Sequence, residues 1–197
     1  MFPRLYARGN KEEGQGMKIA IIGYSGSGKS TLAGKLGAVF QADVLHFDRV
    51  QFLPGWEIRA EEDKKEITRE FLDTHESWVI DGNYSKLFFE RRMEEADLII
   101  MILFNRFSCL RRVVQRYRKY RNTTRPDMGV GCNEKLDWEF IKWVLYKQRT
   151  KQARSRYAQV YSRYKEKVII VKNQRQLDEC LEKLSGSGGV RQARETL

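Results

Sequence analysis

Cysteine and histidine are scarce in this 197-residue chain, with three of the first and two of the second. Cys109, Cys132 and Cys180 are odd in number and far apart, and no pair has zinc-ligand spacing. A disulfide framework and a cysteine zinc site are therefore excluded, and we expect reduced thiols in a cytoplasmic protein. His46 and His75 are likewise isolated. No apolar run approaches the length of a membrane span. Residues 1–16 lack the apolar centre of a secretory signal. They mix Arg4, Arg8 and Lys11 with Glu12 and Glu13 without periodicity, and Met17 directly precedes the first apolar run. We expect a disordered leader there, or the product of an upstream start codon. No internal repeat is visible. Acidic residues are short too: 26 against 37 basic ones leave a net charge of +11. That balance favours a polyanionic ligand, whether nucleotide, nucleic acid or membrane surface, without choosing among them.

What is present is a 41% hydrophobic content, enough for a core, and one stretch that organises the chain. Gly23-Tyr24-Ser25-Gly26-Ser27-Gly28-Lys29-Ser30 fits G-x-x-x-x-G-K-[ST], the phosphate-cradling loop. Its flanks fit as well. Lys18 to Ile22 reads as a short buried strand, and Leu32, Leu36, Val39 and Phe40 have helical spacing. Glycines let backbone N–H groups converge on one point, where the following helix adds partial positive charge. We assign a triphosphate cradle to Gly23, Ser25, Gly26, Ser27, Gly28, Lys29, Ser30 and Thr31. Lys29 would reach the outer phosphates and the Ser30 hydroxyl would ligate Mg²⁺, which makes Mg-ATP the expected cofactor.

Downstream, strands are expected over 42–47, 77–80, 98–104 and 168–171, and helices over 61–73, 87–95 and 108–120. A long helix is expected from near Glu134, continuing past Tyr164 with a break, and a closing helix over 177–184. Gln51 to Trp56 and Arg121 to Asn133 read as loops. Alternation of strand and helix implies an α/β fold, a three-layer α/β/α arrangement on a five-stranded parallel sheet. Residues 17–184 form the domain, an inserted helical lid spans about 112–142, and the glycine-serine stretch after Leu184 opens a flexible tail over 185–197.

In such sheets ligands bind at the carboxyl ends of the strands. Asp81 ends an apolar strand and is placed to hold Mg²⁺ through water. Asp48 ends the strand after the loop, where it would orient an acceptor hydroxyl or take its proton. His46 would share a face with Asp48 and reads as structural. Between Arg106 and Lys165 seventeen basic residues face four acidic ones. Arg112 and Arg116 are four apart on one helix face, and Arg121 and Arg125 flank the Pro126 loop. Two basic elements joined by a glycine-bearing loop describe a lid that closes on phosphates and supplies arginines when shut. The same segment interleaves Tyr117, Tyr120, Trp138 and Trp143 with cations, which also suits single-stranded nucleic acid.

With those residues in place, the loop, the strand ending Asp81-Gly82, and Arg112-Val113-Val114-Gln115-Arg116 resemble adenylate kinase and related small P-loop kinases. In that family an Arg-x-x-x-Arg pair enters the lid and contacts ATP, which maps onto Arg112 and Arg116. Adenylate kinases follow Asp-Gly with Phe-Pro-Arg, whose arginine holds the AMP phosphate. Here the run is Asp81-Gly82-Asn83-Tyr84-Ser85, which counts against AMP as acceptor. A closer resemblance, over roughly 17–180, is to DNA topology modulation (FlaR-related) proteins. It is carried by the loop through Thr31, by Trp78-Val79-Ile80-Asp81-Gly82-Asn83-Tyr84-Ser85-Lys86, and by Thr124-Arg125-Pro126-Asp127-Met128.

The combined reading is an ATP-dependent phosphotransferase. Lys29, Arg112, Arg116 and Arg125 would stabilise the transferring group, and Asp48 would orient the acceptor. Ser30 and Asp81 would organise the metal. Asn83, Tyr84, Lys86 and Arg121 would line the acceptor pocket, and Lys172 and Asn173 would flank the adenine. The acceptor is a nucleotide, nucleoside or other small hydroxyl compound. The alternative is a nucleic-acid-binding protein that acts through segment 106–165.

Overall fold

A computed structural model describes residues 16–125 and 127–192, the side chains of 187–192 excepted. The expected leader, save Gly16, and residues 193–197 of the expected tail lie outside the described residues. Five strands form one parallel sheet: β1 (Lys18–Gly23), β2 (Asp43–His46), β5 (Trp78–Asp81), β6 (Leu98–Ile102) and β7 (Val168–Val171). Their order is β2-β5-β1-β6-β7. A two-stranded antiparallel ribbon, β3 (Phe52–Leu53) and β4 (Glu57–Ile58), stands apart.

The strands β1, β5, β6 and β7 are largely apolar on both faces because both faces are covered, while the edge strand β2 is only half-buried. Ile19, Ile21, Leu98, Ile100 and Ile102 face one core. There they meet α1 (Lys29–Phe40) through Leu32 and Leu36, α5 (Arg106–Tyr120) through Cys109 and Val113, and α8 (Gln174–Gln192) through Leu177 and Leu184. Ala20, Ile22, Ile99 and Met101 face the second core. It is closed by α2 (Phe47–Gln51), α3 (Glu61–Thr74), α4 (Phe89–Glu95) and α7 (Lys151–Arg163). This is the three-layer α/β/α architecture that the alternation implies. Ile100, fully buried on a central strand, reports on it. Ile100→Ala is expected to cost about 3 kcal/mol, read as a lowered urea midpoint at unchanged slope.

Between β6 and β7 the chain makes its long helical excursion: α5, a loop, α6 (Trp138–Leu145), a 3-10 turn at Lys147–Arg149, α7, and a second 3-10 turn at Lys165–Lys167. Three boundaries differ from expectation. First, α6 begins at Trp138 rather than near Glu134, because the Asp137 carboxylate accepts from Phe140 N (2.7 Å) and caps the helix there. Second, residues 47–58 hold α2 and the ribbon, where the strand was expected to run on through Phe47 to end at Asp48 and a plain loop over 51–56 to follow; Asp48 therefore opens a helix rather than ending a strand. Third, α8 runs past Leu184 through Gly186 to Gln192. Glycine lowers helix stability by about 1 kcal/mol per residue without forbidding the conformation. Among the described residues no helix is long and apolar enough to cross a membrane.

Candidate functional site

The phosphate loop leaves β1 at Gly23 and enters α1 through Gly28, whose left-handed φ of 98° makes it the helix N-cap. Glycine is required at Gly26 on steric grounds. Its φ is +77°, and an added Cβ would stand 2.6 Å from Val113 Cγ2 and 2.8 Å from Cys109 O. The loop thus lies tight on α5.

At the mouth of α1 the Ser30 hydroxyl donates to Asp81 Oδ2 (2.8 Å), joining residues 51 positions apart. Asp81 is buried at the end of β5, and its other oxygen lies 2.6 Å from His46 Nδ1. His46 therefore closes β2 against the Asp81 carboxylate, where the sequence placed it on a face shared with Asp48. Burial pulls the His46 pKa down, but the hydrogen bond and charge of Asp81 outweigh it, so the net shift is upward. A hydroxyl and a carboxylate are hard oxygen donors, and Mg²⁺ takes its remaining positions from water and phosphate oxygens. The donor set fits Mg-ATP. Lys29 Nζ donates to the loop's own Tyr24 carbonyl (3.1 Å). Burial lowers the Lys29 pKa, and the charges of Asp81 and Asp48 oppose the shift.

Asp48 sits on the first turn of α2, facing the same cleft, and its Oδ1 accepts from the Tyr84 hydroxyl (2.8 Å). Burial, the Asp48 charge and this bond all raise the phenol pKa, so Tyr84 is a fixed donor. Asn83 turns its amide onto the phosphate loop. Its Oδ1 accepts from Gly23 N (3.0 Å) and its Nδ2 donates to Gly23 O (2.7 Å). Asn83 thus braces the loop as well as bordering the cleft.

Arg116 and Arg125 converge on one buried carboxylate. Arg116 Nε donates to Glu134 Oε1 (2.7 Å), and Arg125 Nε stands 2.7 Å from Glu134 Oε2, outside hydrogen-bond angles. Arg125 also pairs with Asp127 (2.9 Å). Burial and the nearby Arg125 charge lower the Arg116 pKa, and Glu134 offsets them only in part. Arg112 lies against Gly28 and over the Phe104 ring (4.9 Å).

These groups face one cleft of about 1870 Å³, larger than a single small-ligand pocket and roomy enough for two substrates. Lys86 borders it, as do Ser25, Gly26, Gly28 and Thr31. Arg121 and the loop's Gly23 and Ser27 do not, and Ser27 is fully buried beneath the loop. Lys172 and Asn173 also lie off the main cleft. Asn173 caps α8 by accepting from Gln176 N (2.9 Å), and Lys172 N donates to Gln176 Oε1 (2.8 Å). Next to them, a small pocket of about 70 Å³ between Arg112, Thr31 and Gln174 adjoins the loop.

Several residues at or beside the cleft carried no role from the sequence, Trp143 excepted, which was read as an aromatic suited to nucleic acid. Gln148 Oε1 accepts from the loop amide of Ser25 (2.6 Å), and Trp143 Nε1 donates to Ser25 Oγ (3.3 Å). The Arg149 guanidinium covers the Tyr24 ring at 3.8 Å. Gln152, Arg156, Gln159 and Arg163 line the cleft from α7 at one-face helical spacing, a periodicity readable in the sequence. Gln148 and Arg149 carry no such signal.

No protein-family model matches the chain, and no curated protein sequence does. Among solved structures the chain is similar to an uncharacterized protein from Eubacterium ventriosum ATCC 27560, at 18% identity over 84% of this chain and 94% of that one, with a TM-score of 0.49. It is similar to a gluconokinase from Sinorhizobium meliloti 1021, at 14% identity over 92% and 96%, with a TM-score of 0.47. It is also similar to a shikimate kinase from Acinetobacter baumannii in complex with shikimate, at 13% identity over 86% and 90%, with a TM-score of 0.46. At such distances the chemistry has to be read from the site itself.

Proposed function

We propose that the protein is a phosphotransferase that moves the γ-phosphoryl group of Mg-ATP to a small acceptor bearing a hydroxyl. One observation carries this reading: Ser30 and Asp81, two oxygen donors from distant parts of the chain, meet at 2.8 Å beside the phosphate-loop lysine. The loop amides and Lys29 bind the β- and γ-phosphates, and Ser30 and Asp81 hold the cation. Mg²⁺, when bound, neutralises charge on the β- and γ-phosphate oxygens. Arg112, with the small pocket beside it, Lys172 and Asn173, takes the adenine side. Arg116 and Arg125 exchange Glu134 for phosphoryl oxygens as the lid closes. Asp48, oriented by Tyr84, accepts the proton of the attacking hydroxyl. A new oxygen–phosphorus bond forms, the β–γ bridging bond breaks, and ADP leaves. The nucleic-acid alternative rests on the basic segment, of which Arg118 and Arg121 stand exposed while Arg116 and Arg125 turn inward onto Glu134.

The test is ADP release measured against a panel of sugars, nucleosides and nucleotides. One acceptor is expected to drive turnover. With it, Asp48→Asn is expected to lower kcat by about 10²–10⁴ while Mg-ATP affinity stays within about twofold. Wild-type turnover in Asp48→Asn, or ADP release indifferent to every acceptor, would contradict the proposal.

A further inference from the structure

Arg92 belongs to no sequence motif, yet it places a cation beneath the site. Its side chain on α4 is fully buried. Each guanidinium nitrogen donates to a backbone carbonyl of one irregular stretch: Nε to Leu87 O (2.9 Å), Nη1 to Gly82 O (3.2 Å) and Nη2 to Tyr84 O (2.7 Å). The guanidinium also lies over the Phe47 ring at 4.3 Å. Phe47 is the residue before Asp48, and Gly82 packs so closely on it that a Cβ at Gly82, where φ is +134°, would stand 2.9 Å from Phe47 Cβ. Burial pulls the Arg92 pKa down to about 9, the sign of a cation held at a desolvation cost.

The stretch that Arg92 grips carries two working side chains. Asn83 clamps both backbone groups of Gly23 on the phosphate loop, and Tyr84 fixes the Asp48 carboxylate. A planar fork of this reach serves three carbonyls at once, of which Tyr84 O also accepts from Leu87 N (3.4 Å), and lysine cannot span the three. We propose that Arg92 is a positioning residue: by holding the 82–87 backbone it sets Asn83 against Gly23 and Tyr84 against Asp48, locking phosphate loop and acceptor aspartate into one geometry. This rests on the phosphate-loop reading of the site.

The experiment compares wild type, Arg92→Lys, Asn83→Ala and the double variant in two readouts. Without nucleotide, exchange of the Gly23 amide is expected to quicken about tenfold in both single variants. With Mg-ADP as probe, each single variant is expected to bind about tenfold more weakly, and the double variant no more than about twofold beyond either, because both act through one contact. A folded Arg92→Lys with wild-type Gly23 exchange, or a double variant showing the product of the two losses, overturns the proposal. If wild type does not bind Mg-ADP while Gly23 exchange behaves as stated, the nucleotide reading fails and the role of Arg92 stands. If Arg92→Lys does not fold, the Arg92 Nε–H resonance of otherwise wild-type protein decides. It shifts on Asn83→Ala under the proposal, and an unmoved resonance refutes it.

Discussion

Lys29→Met is expected to make the nucleotide-free protein more stable while removing its ability to bind Mg-ADP. Lys29 is held in the loop with one carbonyl partner, Tyr24 O at 3.1 Å, and burial lowers its pKa. An ammonium kept charged there carries a desolvation cost, which phosphate oxygens would offset. Methionine fills a similar volume without the charge. We expect the apo Tm to rise by about 3 °C, the equivalent of roughly 1 kcal/mol in a domain of this size. Mg-ADP affinity should fall by about 100-fold or more, as loss of a charge-assisted phosphate contact requires. Thermal melts with and without Mg-ADP read both effects at once. The ligand-induced rise seen in wild type should be absent from the variant. An unchanged ligand-induced rise would show that Lys29 does not touch phosphate.

Asp81→Ala is expected to uncouple nucleotide binding from magnesium. In wild type the Asp81 carboxylate joins Ser30 at 2.8 Å to His46 at 2.6 Å. Its removal takes away the negative donor of the pair. The ratio of nucleotide affinity with Mg²⁺ to that with a chelator should drop on the order of 10–100-fold, towards one. The same substitution alters a pH dependence whose sign is fixed. The folded-state pKa of His46 is raised, so its pairing with Asp81 contributes stability that is fully present below the unfolded value near 6.5 and is lost as pH rises through the folded value. The difference in Tm between wild type and Asp81→Ala should accordingly narrow as pH rises above about 6.5. A difference that widens over that range would mean that His46 gains no charge from its partner.

The parts of this site that were legible in the sequence are those whose chemistry constrains residue type at short spacing. The phosphate loop needs glycine, lysine and serine in one order because backbone geometry permits little else. Asp81 was visible because an apolar strand stops at it. Sheet membership was visible for β1, β5, β6 and β7 because two-sided burial leaves near-continuous apolar runs, and for the edge strand β2 only from Val44 and Leu45, which are half-buried. Strand order was not, since β2 and β5 pair across more than thirty residues that carry no trace of register. Short elements also escaped: α2 is five residues and each ribbon strand two, too short to show a period. Near Glu134 the apolar spacing suggested helix, but that glutamate is drawn out between Arg116 and Arg125, and Asp137 starts the helix instead. Asn83, Gln148 and Arg92 act on backbone atoms, Gly23, Ser25 and the 82–87 carbonyls respectively. A partner that is backbone leaves no mark in residue type, so only the fold reveals these contacts.

The most direct test of the account is calorimetric titration of Mg-ATP into the wild-type protein. The account predicts a saturable one-to-one heat that weakens sharply when the cation is chelated. No heat with Mg-ATP or any other common nucleoside triphosphate would contradict it.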